Sequence, residues 1–589
     1  MAAVLAAVGL GALVMHLRMK MPASSFGQMT ISQLTTSGDV GPAAISPDGK
    51  WLAYVVTEKQ QSVWVRQMAT GSTVQVIPPS AANYSSSSLV FSRDGNYLYC
   101  LVAPEAGKYV LEQVPSVGGS PRTILSDIQS PIGFSPDGSQ IVFVRNSDND
   151  NTSSLMIANA EGSSIRALST VHSPASFETL STGGGGPTWS PDGQHIAVGF
   201  LPSTFFGAAV IETVDVSSGK QARLGNSEWG SLFQASWLPD GSSLISEGSI
   251  AHDPSGDNSQ VWEISYPGGA LRKITNDLNF YVDSSITSDG SKLVTIQASF
   301  GSTLWVASGD ISKLATESPR EISPGSGRSQ GYQGTAWTPK GDILYGYYSS
   351  GQLGLGKISP ATGESADVSP DLARGIGPSS CGNTGYVVFM TKQGLMRTDD
   401  DGGNLTQLTS NRDDIFPACS PDGKTVFYNH VADGKTHLWR VGADGENAAQ
   451  VSDKGYIEPA FSPDGKHLAV IDWADTPHLE IIILDAGTGA AQASYIISQS
   501  QNVSTGQNRI AWTPDGRGIV FIVNDSVSNT SNLWEQPISA PGSKPEPAKQ
   551  IKHFTSMQIW SIAFSPDGKQ LVLARGLPYA DAVMLSHFH

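Results

Sequence analysis

The tetrapeptide Ser/Thr-Pro-Asp-Gly recurs seven times along the chain, at residues 46–49, 135–138, 190–193, 420–423, 462–465, 513–516 and 565–568. Single-position variants stand at 92–95, 238–241, 287–290 and 338–341, and a worn copy lies around 380–383, ahead of Tyr386-Val387-Val388-Phe389. Twelve units at a mean spacing of about 47 residues match four-stranded propeller blades, so the repeat fixes the fold class before any other feature is read.

Each unit has a readable physical logic. Proline presets φ at the second turn position, Asp bonds nearby backbone, and Gly supplies the left-handed conformation that closes a hairpin. A bulky residue precedes the turn, as at Phe134, Trp189, Trp237, Trp337, Phe461, Trp512 and Phe564. An alternating strand follows it, such as Trp51-Leu52-Ala53-Tyr54-Val55, then a third strand often bearing Trp, then an outer strand of the type Arg-Gln-Leu-Thr. Period-2 alternation marks small half-buried sheets that need neighbours to cover them.

The chain opens on an orphan outer strand, Ile31-Ser32-Gln33-Leu34-Thr35, and its last unit stops after a third strand, Ala582-Val583-Met584-Leu585. That asymmetry implies ring closure by strand exchange, which removes exposed edges. Twelve blades exceed the usual ring, so the expectation is an all-β chain of two β-propellers of about six four-stranded blades each, after a short N-terminal hydrophobic helix. The first propeller is assigned to 30–310, with Ile31–Thr35 closing onto the segment 285–307. The second is assigned to 319–589, with Arg320-Glu321-Ile322-Ser323 closing onto the segment 562–589. Seven plus five is the alternative division.

Residues 1–15 carry no charged side chain, and Arg18 and Lys20 follow. The stretch 1–20 reads as a transmembrane or signal-anchor segment, a cleaved signal, or the tail of a longer transmembrane helix; the last is preferred, with membrane contact through residues 1–17. Arg18 and Lys20 by themselves favour a cytoplasmic flank. A net charge of −17 with no basic run excludes nucleic acid as a partner. The three cysteines are expected as free, mostly buried thiols, with a Cys381–Cys419 pairing as the lesser reading.

Units such as Pro459-Ala460-Phe461-Ser462-Pro463-Asp464-Gly465-Lys466-His467-Leu468-Ala469-Val470 resemble the TolB-like propeller repeat, a relative of the WD-type repeat, over about residues 30 to 589. The hydrophobic start followed by Met29-Thr30-Ile31-Ser32-Gln33-Leu34-Thr35-Thr36-Ser37-Gly38 resembles acidobacterial proteins in which a cytoplasmic kinase or winged-helix domain is joined through one helix to such propellers. The resemblance implies a single-pass membrane protein with periplasmic propellers, acting as the sensory or scaffolding part of a signalling or envelope system.

No kinase motif, P-loop, dinucleotide fingerprint, Gly-x-Ser-x-Gly elbow or HExxH pair occurs, so no catalytic residue, metal ligand or cofactor is assigned. The loop Asp148-Asn149-Asp150-Asn151-Thr152 lacks the glycine and bidentate glutamate of an EF-hand and reads as a hairpin tip. Ligand-binding candidates are the residues leading into inner strands around the channel mouth: Trp229, Phe280, Tyr281, Arg412, Asp414, Phe416, Tyr456, Glu458 and Trp560. Aromatics beside charges suit a protein, peptide or glycan ligand, although inter-blade packing competes at each position. The long loop 172–186, ending in four glycines, reads as a lid. A non-catalytic binding module is the expectation; a propeller-based hydrolase or metal-dependent lyase at the channel mouth is the alternative.

Overall fold

The computed structural model describes residues 29–589 apart from short segments at 58–59, 81–82, 106–107, 148–149, 180–184, 203–207, 252–258, 278, 324–328, 350–351, 370–375, 392, 412, 433–434, 473–479, 498–501, 504–506, 526–529 and 540–544. The segment 1–20 therefore lies outside the described residues. Among those described, no helix is long and apolar enough to cross a membrane.

The recurring tetrapeptide forms the same bonded turn each time. In nine repeats the Ser or Thr hydroxyl donates to the turn Asp at 2.5–2.7 Å. The same hydroxyl accepts the N–H five residues on, as at Ser46 from Trp51 (2.9 Å) and Ser462 from His467 (3.0 Å). One side chain thus fixes both the turn and the register of the next strand. The outer-strand motif is equally explicit. Leu34 and Thr35 both donate their N–H to the Ala582 carbonyl, while the Thr35 hydroxyl accepts the Ala582 N–H. Ile274-Thr275 repeats this on Val261, and Leu408-Thr409 on Leu395.

The fold is nearly all-β, built of four-stranded antiparallel sheets of the kind found in propeller blades. Among the described residues there are eleven sheets for twelve repeats, because the sixth and twelfth repeats share one. Two strands of 17 residues, Lys292–Ser308 and Gln570–Ser586, pair along their whole length, from Lys292 opposite Ser586 to Ser308 opposite Gln570. One end of this ribbon lies between Phe280–Ile286 and Thr30–Gln33; the other lies between Gln558–Phe564 and Arg320–Glu321.

The expected closures are therefore crossed. Ile31 pairs with Leu585 rather than with the segment 285–307, and Glu321 pairs with Trp305 rather than with the segment 562–589. A hairpin within each repeat would place similar apolar residues opposite one another, so alternation alone does not distinguish the two pairings. Gly301 and Gly576, where hairpin turns would have stood, run straight through the strands. The ribbon is tight there: a Cβ on Gly576 would meet the Gly301 carbonyl oxygen at 1.8 Å.

Inner strands pack in sequence. Among the first six repeats Val40–Ile45 touches both Asn83–Phe91 and Phe280–Ile286; among the last six Ser329–Trp337 touches both Ile376–Ser380 and Gln558–Phe564. Apolar clusters fill each interface between neighbouring repeats, as around Phe134 and Ile141 or around Ile471 and Phe521. Two cysteines correct the free-thiol expectation: Cys381 and Cys419 form a disulfide between adjacent repeats, with Cα atoms 5.0 Å apart. Cys381 occupies the turn-serine position of the worn repeat and Cys419 directly precedes Ser420, which brings the two side by side. Cys100 is free and buried.

Candidate functional site

Near the middle of the inner strands the pairing register slips, between Val282 and Ser285, Gln330 and Thr335, Ile376 and Ser379, Ile415 and Ala418, and Ile457 and Ala460. A bulge of this kind bends the strand and re-aims a side chain. In these five strands the position four residues ahead of the turn residue falls in the slip. In the first six repeats it is Pro42, Ser88, Pro131, Gly186, Gln234 and Asp283; in the last six it is Gly334, Gly377, Phe416, Glu458, Arg509 and Ser561. Three non-glycine members hold positive φ: Asp283 (61°), Phe416 (54°) and Glu458 (56°). Such strain persists only where surrounding structure imposes it, and it clusters at binding sites.

Four of these positions, Gln234, Asp283, Phe416 and Glu458, line two cavities, and the rest adjoin residues that do. That among the last six repeats measures about 530 Å³, with residues from all six inner-strand segments in its wall, among them Trp337, Phe416, Glu458, Gln507, Asn508 and Ile562. Its counterpart in the first six measures about 360 Å³ and is walled by residues that include Ile45, Arg93, Phe134, Trp189, Gln234 and Asp283. In the larger one glycines let the walls approach. A Cβ on Gly334 would lie 2.6 Å from the Asn508 Oδ1 and 3.2 Å from the Gly377 Cα. The Gln507 Oε1 and Asn508 Oδ1 are buried without a hydrogen-bond partner among the described residues.

Beside this wall stands a charged aromatic cluster. The Arg509 guanidinium lies 5.8 Å from the Trp560 ring centroid, and Tyr332 lies 4.9 Å from Trp560. Burial lowers the Arg509 pKa, opposed by the Glu458 charge, and burial raises that of the Tyr332 phenol. Glu458 itself is buried, its amide donating to the Asn429 Oδ1 at 3.1 Å. A guanidinium, an indole and a phenol gathered beside a wall that carries a carboxylate are groups of the kind that grip a protein or peptide side chain.

The smaller cavity is backed by a different arrangement. Glu247 is fully buried behind the Asp283–Ser284 bulge, with one oxygen accepting the Ser284 N–H at 3.2 Å. Burial, reinforced by the Asp283 charge, pushes its carboxyl up to about 8. Glu178, also buried, is pushed up to about 8 by burial.

The structure divides the sequence candidates. Phe416 and Glu458 wall the larger cavity, and Trp560 joins the cluster beside it. Trp229 packs edge-on against Trp262 at 6.2 Å inside a core cluster, and Phe280 packs against Phe233 at 5.9 Å. Tyr281 is fully buried, donating to Asp277 at 2.6 Å and accepting from Gln297 at 3.0 Å. Tyr456 is buried, its carbonyl accepting from Asn429 at 2.6 Å. These four engage neighbouring residues of the fold, and none of them lines either cavity. Asp414 opens a separate pocket, and Arg412 lies outside the described residues.

The glycine-rich loop also needs correction. Gly185 and Gly186 are buried, a Cβ on Gly185 would meet the Gln234 Cα at 2.3 Å, and Gly186 donates to the Gln234 Oε1 at 2.8 Å. They provide close packing between inner strands rather than a free lid; 180–184 lie outside the described residues. Ser147 pairs with Thr152 across the predicted hairpin tip, of which 148–149 are not described. Among the described residues no group of three or more His, Cys, Asp or Glu is placed to hold a metal ion. Arg509, Tyr332, Asp283, Glu247 and His430 were not among the sequence candidates. A register counted back from each turn finds Arg509 and Asp283; nothing local marks the others.

No protein-family model matches the chain. An uncharacterized protein of Agrobacterium fabrum is 27% identical over 135 residues, 21% of this chain and 45% of that protein, so the chain spans less than half of the curated relative it matches. Among solved structures it is similar to a putative TolB from Agrobacterium tumefaciens (20% identity, TM-score 0.34, 42% of this chain and 87% of that one). It is similar also to TolB from Acinetobacter baumannii (15%, TM-score 0.27, 65% and 81%) and to the tricorn protease (13%, TM-score 0.32, 93% and 61%). Similarity at this level assigns neither an activity nor a ligand.

Proposed function

We propose that the chain is a non-catalytic binding module made of two six-bladed β-propellers, which receives a protein or peptide ligand at the channel mouth of the second. The observation that carries this reading is the pair Phe416 and Glu458, held at positive φ in the cavity wall, with the Arg509–Trp560–Tyr332 cluster beside that wall. The division into six and six is supported by the order of inner-strand contacts and by two cavities each bordered by six repeats. Placement outside the cytoplasm, behind a membrane segment at 1–20, is supported by the Cys381–Cys419 disulfide, since such bonds persist in oxidising compartments. A sensory or scaffolding role in a bacterial envelope or signalling system belongs to the same proposal and rests on the resemblance of the hydrophobic start and Met29–Gly38 to proteins that join such propellers to a signalling domain.

A photo-crosslinking residue at Phe416, activated in intact cells, tests the binding site. One adduct of defined mass, lost in Arg509→Ala and Trp560→Ala variants, is expected. No adduct, or one indifferent to both substitutions, overturns the reading.

A further inference from the structure

A further pocket, of about 420 Å³, lies between the eighth and ninth repeats and shares no wall residue with either cavity described above. Gln407, Ser410 and Asn411 enter it from the end of one repeat, and Tyr428, His430 and Trp439 from the next. In its wall the His430 Nδ1 stands 2.6 Å from the Asp414 Oδ1. The Asp414 side chain is 3% exposed and that of His430 22%. A carboxylate only accepts, so Nδ1 carries the proton and Nε2 is left directed away from Asp414. The imidazole also rests against Trp439, with ring centroids 5.1 Å apart. Its orientation is held from two sides.

The other polar side chains of the described wall are uncharged amides, hydroxyls and an indole; Arg412, between Asn411 and Asp414, lies outside the described residues. Asn411 accepts the Asp413 N–H through its carbonyl oxygen (3.0 Å), which leaves its amino group as a donor. Gln407 donates to the Gln393 carbonyl (3.2 Å), which leaves its oxygen as an acceptor. The Trp439 indole N–H, buried in the same wall, has no acceptor among the described residues. Among the described wall residues there is no Lys or Arg to compensate an anion, and the lone carboxylate, Asp414, is engaged by His430. What the pocket offers is a fixed imidazole, amides, hydroxyls and aromatic walls. That set matches a guest with many hydroxyl groups, apolar faces and no charge.

We propose that this pocket binds a neutral, hydroxyl-rich ligand of the monosaccharide or short-glycan class, with His430 as its central contact. The test is saturation-transfer NMR on the intact chain with millimolar methyl glycosides of glucose, galactose, mannose and N-acetylglucosamine. Transfer to at least one of them is expected, with Kd raised at least about tenfold in both His430→Ala and Asn411→Ala. Asn411→Ala keeps the test valid should His430→Ala unfold, and its thermal midpoint is measured alongside. Inorganic phosphate is expected not to compete. Transfer to none of the four, transfer unchanged in both variants, or displacement of the glycoside by phosphate overturns the proposal.

Discussion

At the scale of single residues, two buried carboxyl groups show opposite uses of the same chemistry. Asp581, 1% exposed, accepts from the Thr35 hydroxyl at 2.7 Å and from the Gln33 amide and Gly38 N–H at 3.3 Å, and so clasps the first strand to the last. Asp581→Ala removes this clasp, at a cost of roughly 2–3 kcal/mol. Hydrogen exchange at Ile31–Gln33 is the readout; amides as protected as in the parent would refute the role. Glu247 has one buried oxygen without a partner among the described residues, and its carboxyl is raised from 4.5 to about 8 by burial. Below 4.5 both folded and unfolded chains hold the proton and nothing is lost. Between 4.5 and 8 only the unfolded chain gives it up, so stability falls as pH rises through that window. Glu247→Gln abolishes that slope. Denaturation at pH 5 and pH 8 is expected to show the variant gaining on the parent at the higher pH, by at most roughly 3–5 kcal/mol.

At the scale of elements, the repeat turn was fully legible in the sequence because every bond that defines it lies within six residues. Ser462 is buried, donates to Asp464 and accepts from His467, so Ser462→Ala orphans an N–H inside a strand start. Urea denaturation is expected to register a loss of about 1–3 kcal/mol, and a neutral result would demote the hydroxyl to decoration. The candidate site was legible only in part. Phe416 and Glu458 stand out as a bulky and a charged residue before proline; Trp229, Phe280 and Tyr281 are candidates as aromatics leading into inner strands, and the structure places each against a neighbouring side chain. Whether an aromatic faces a neighbouring blade or the channel depends on a register slip in the inner strand, and alternation does not reveal that slip. Arg509 was overlooked for the same reason: its place four residues ahead of Thr513 has meaning only once all twelve turns are aligned. The disulfide was misjudged because two cysteines 38 residues apart become neighbours only through blade stacking.

At the scale of the whole molecule, the shared ribbon changes what counts as a folding unit. Residues 577–586 complete the sheet of the sixth repeat, and residues 301–308 complete that of the twelfth. Neither half of the chain therefore contains all of its own strands. A fragment spanning 29–310 would present the edge of Lys292–Ser308 with its N–H and C=O groups unpaired, the condition that drives sheet association. Expressed alone it is expected to aggregate, and co-expression with 311–589 is expected to restore a soluble complex. The intact chain should accordingly melt in one calorimetric transition, because the ribbon cannot separate without breaking sheets in both halves. Gly576→Val is the sharpest probe. Its side chain would collide with the Gly301 carbonyl at the crossing point, and it should lower that single transition as a whole. Two resolved transitions in the parent, or a variant in which only one half melts early, would mean that the halves fold independently and that the ribbon is only a tether.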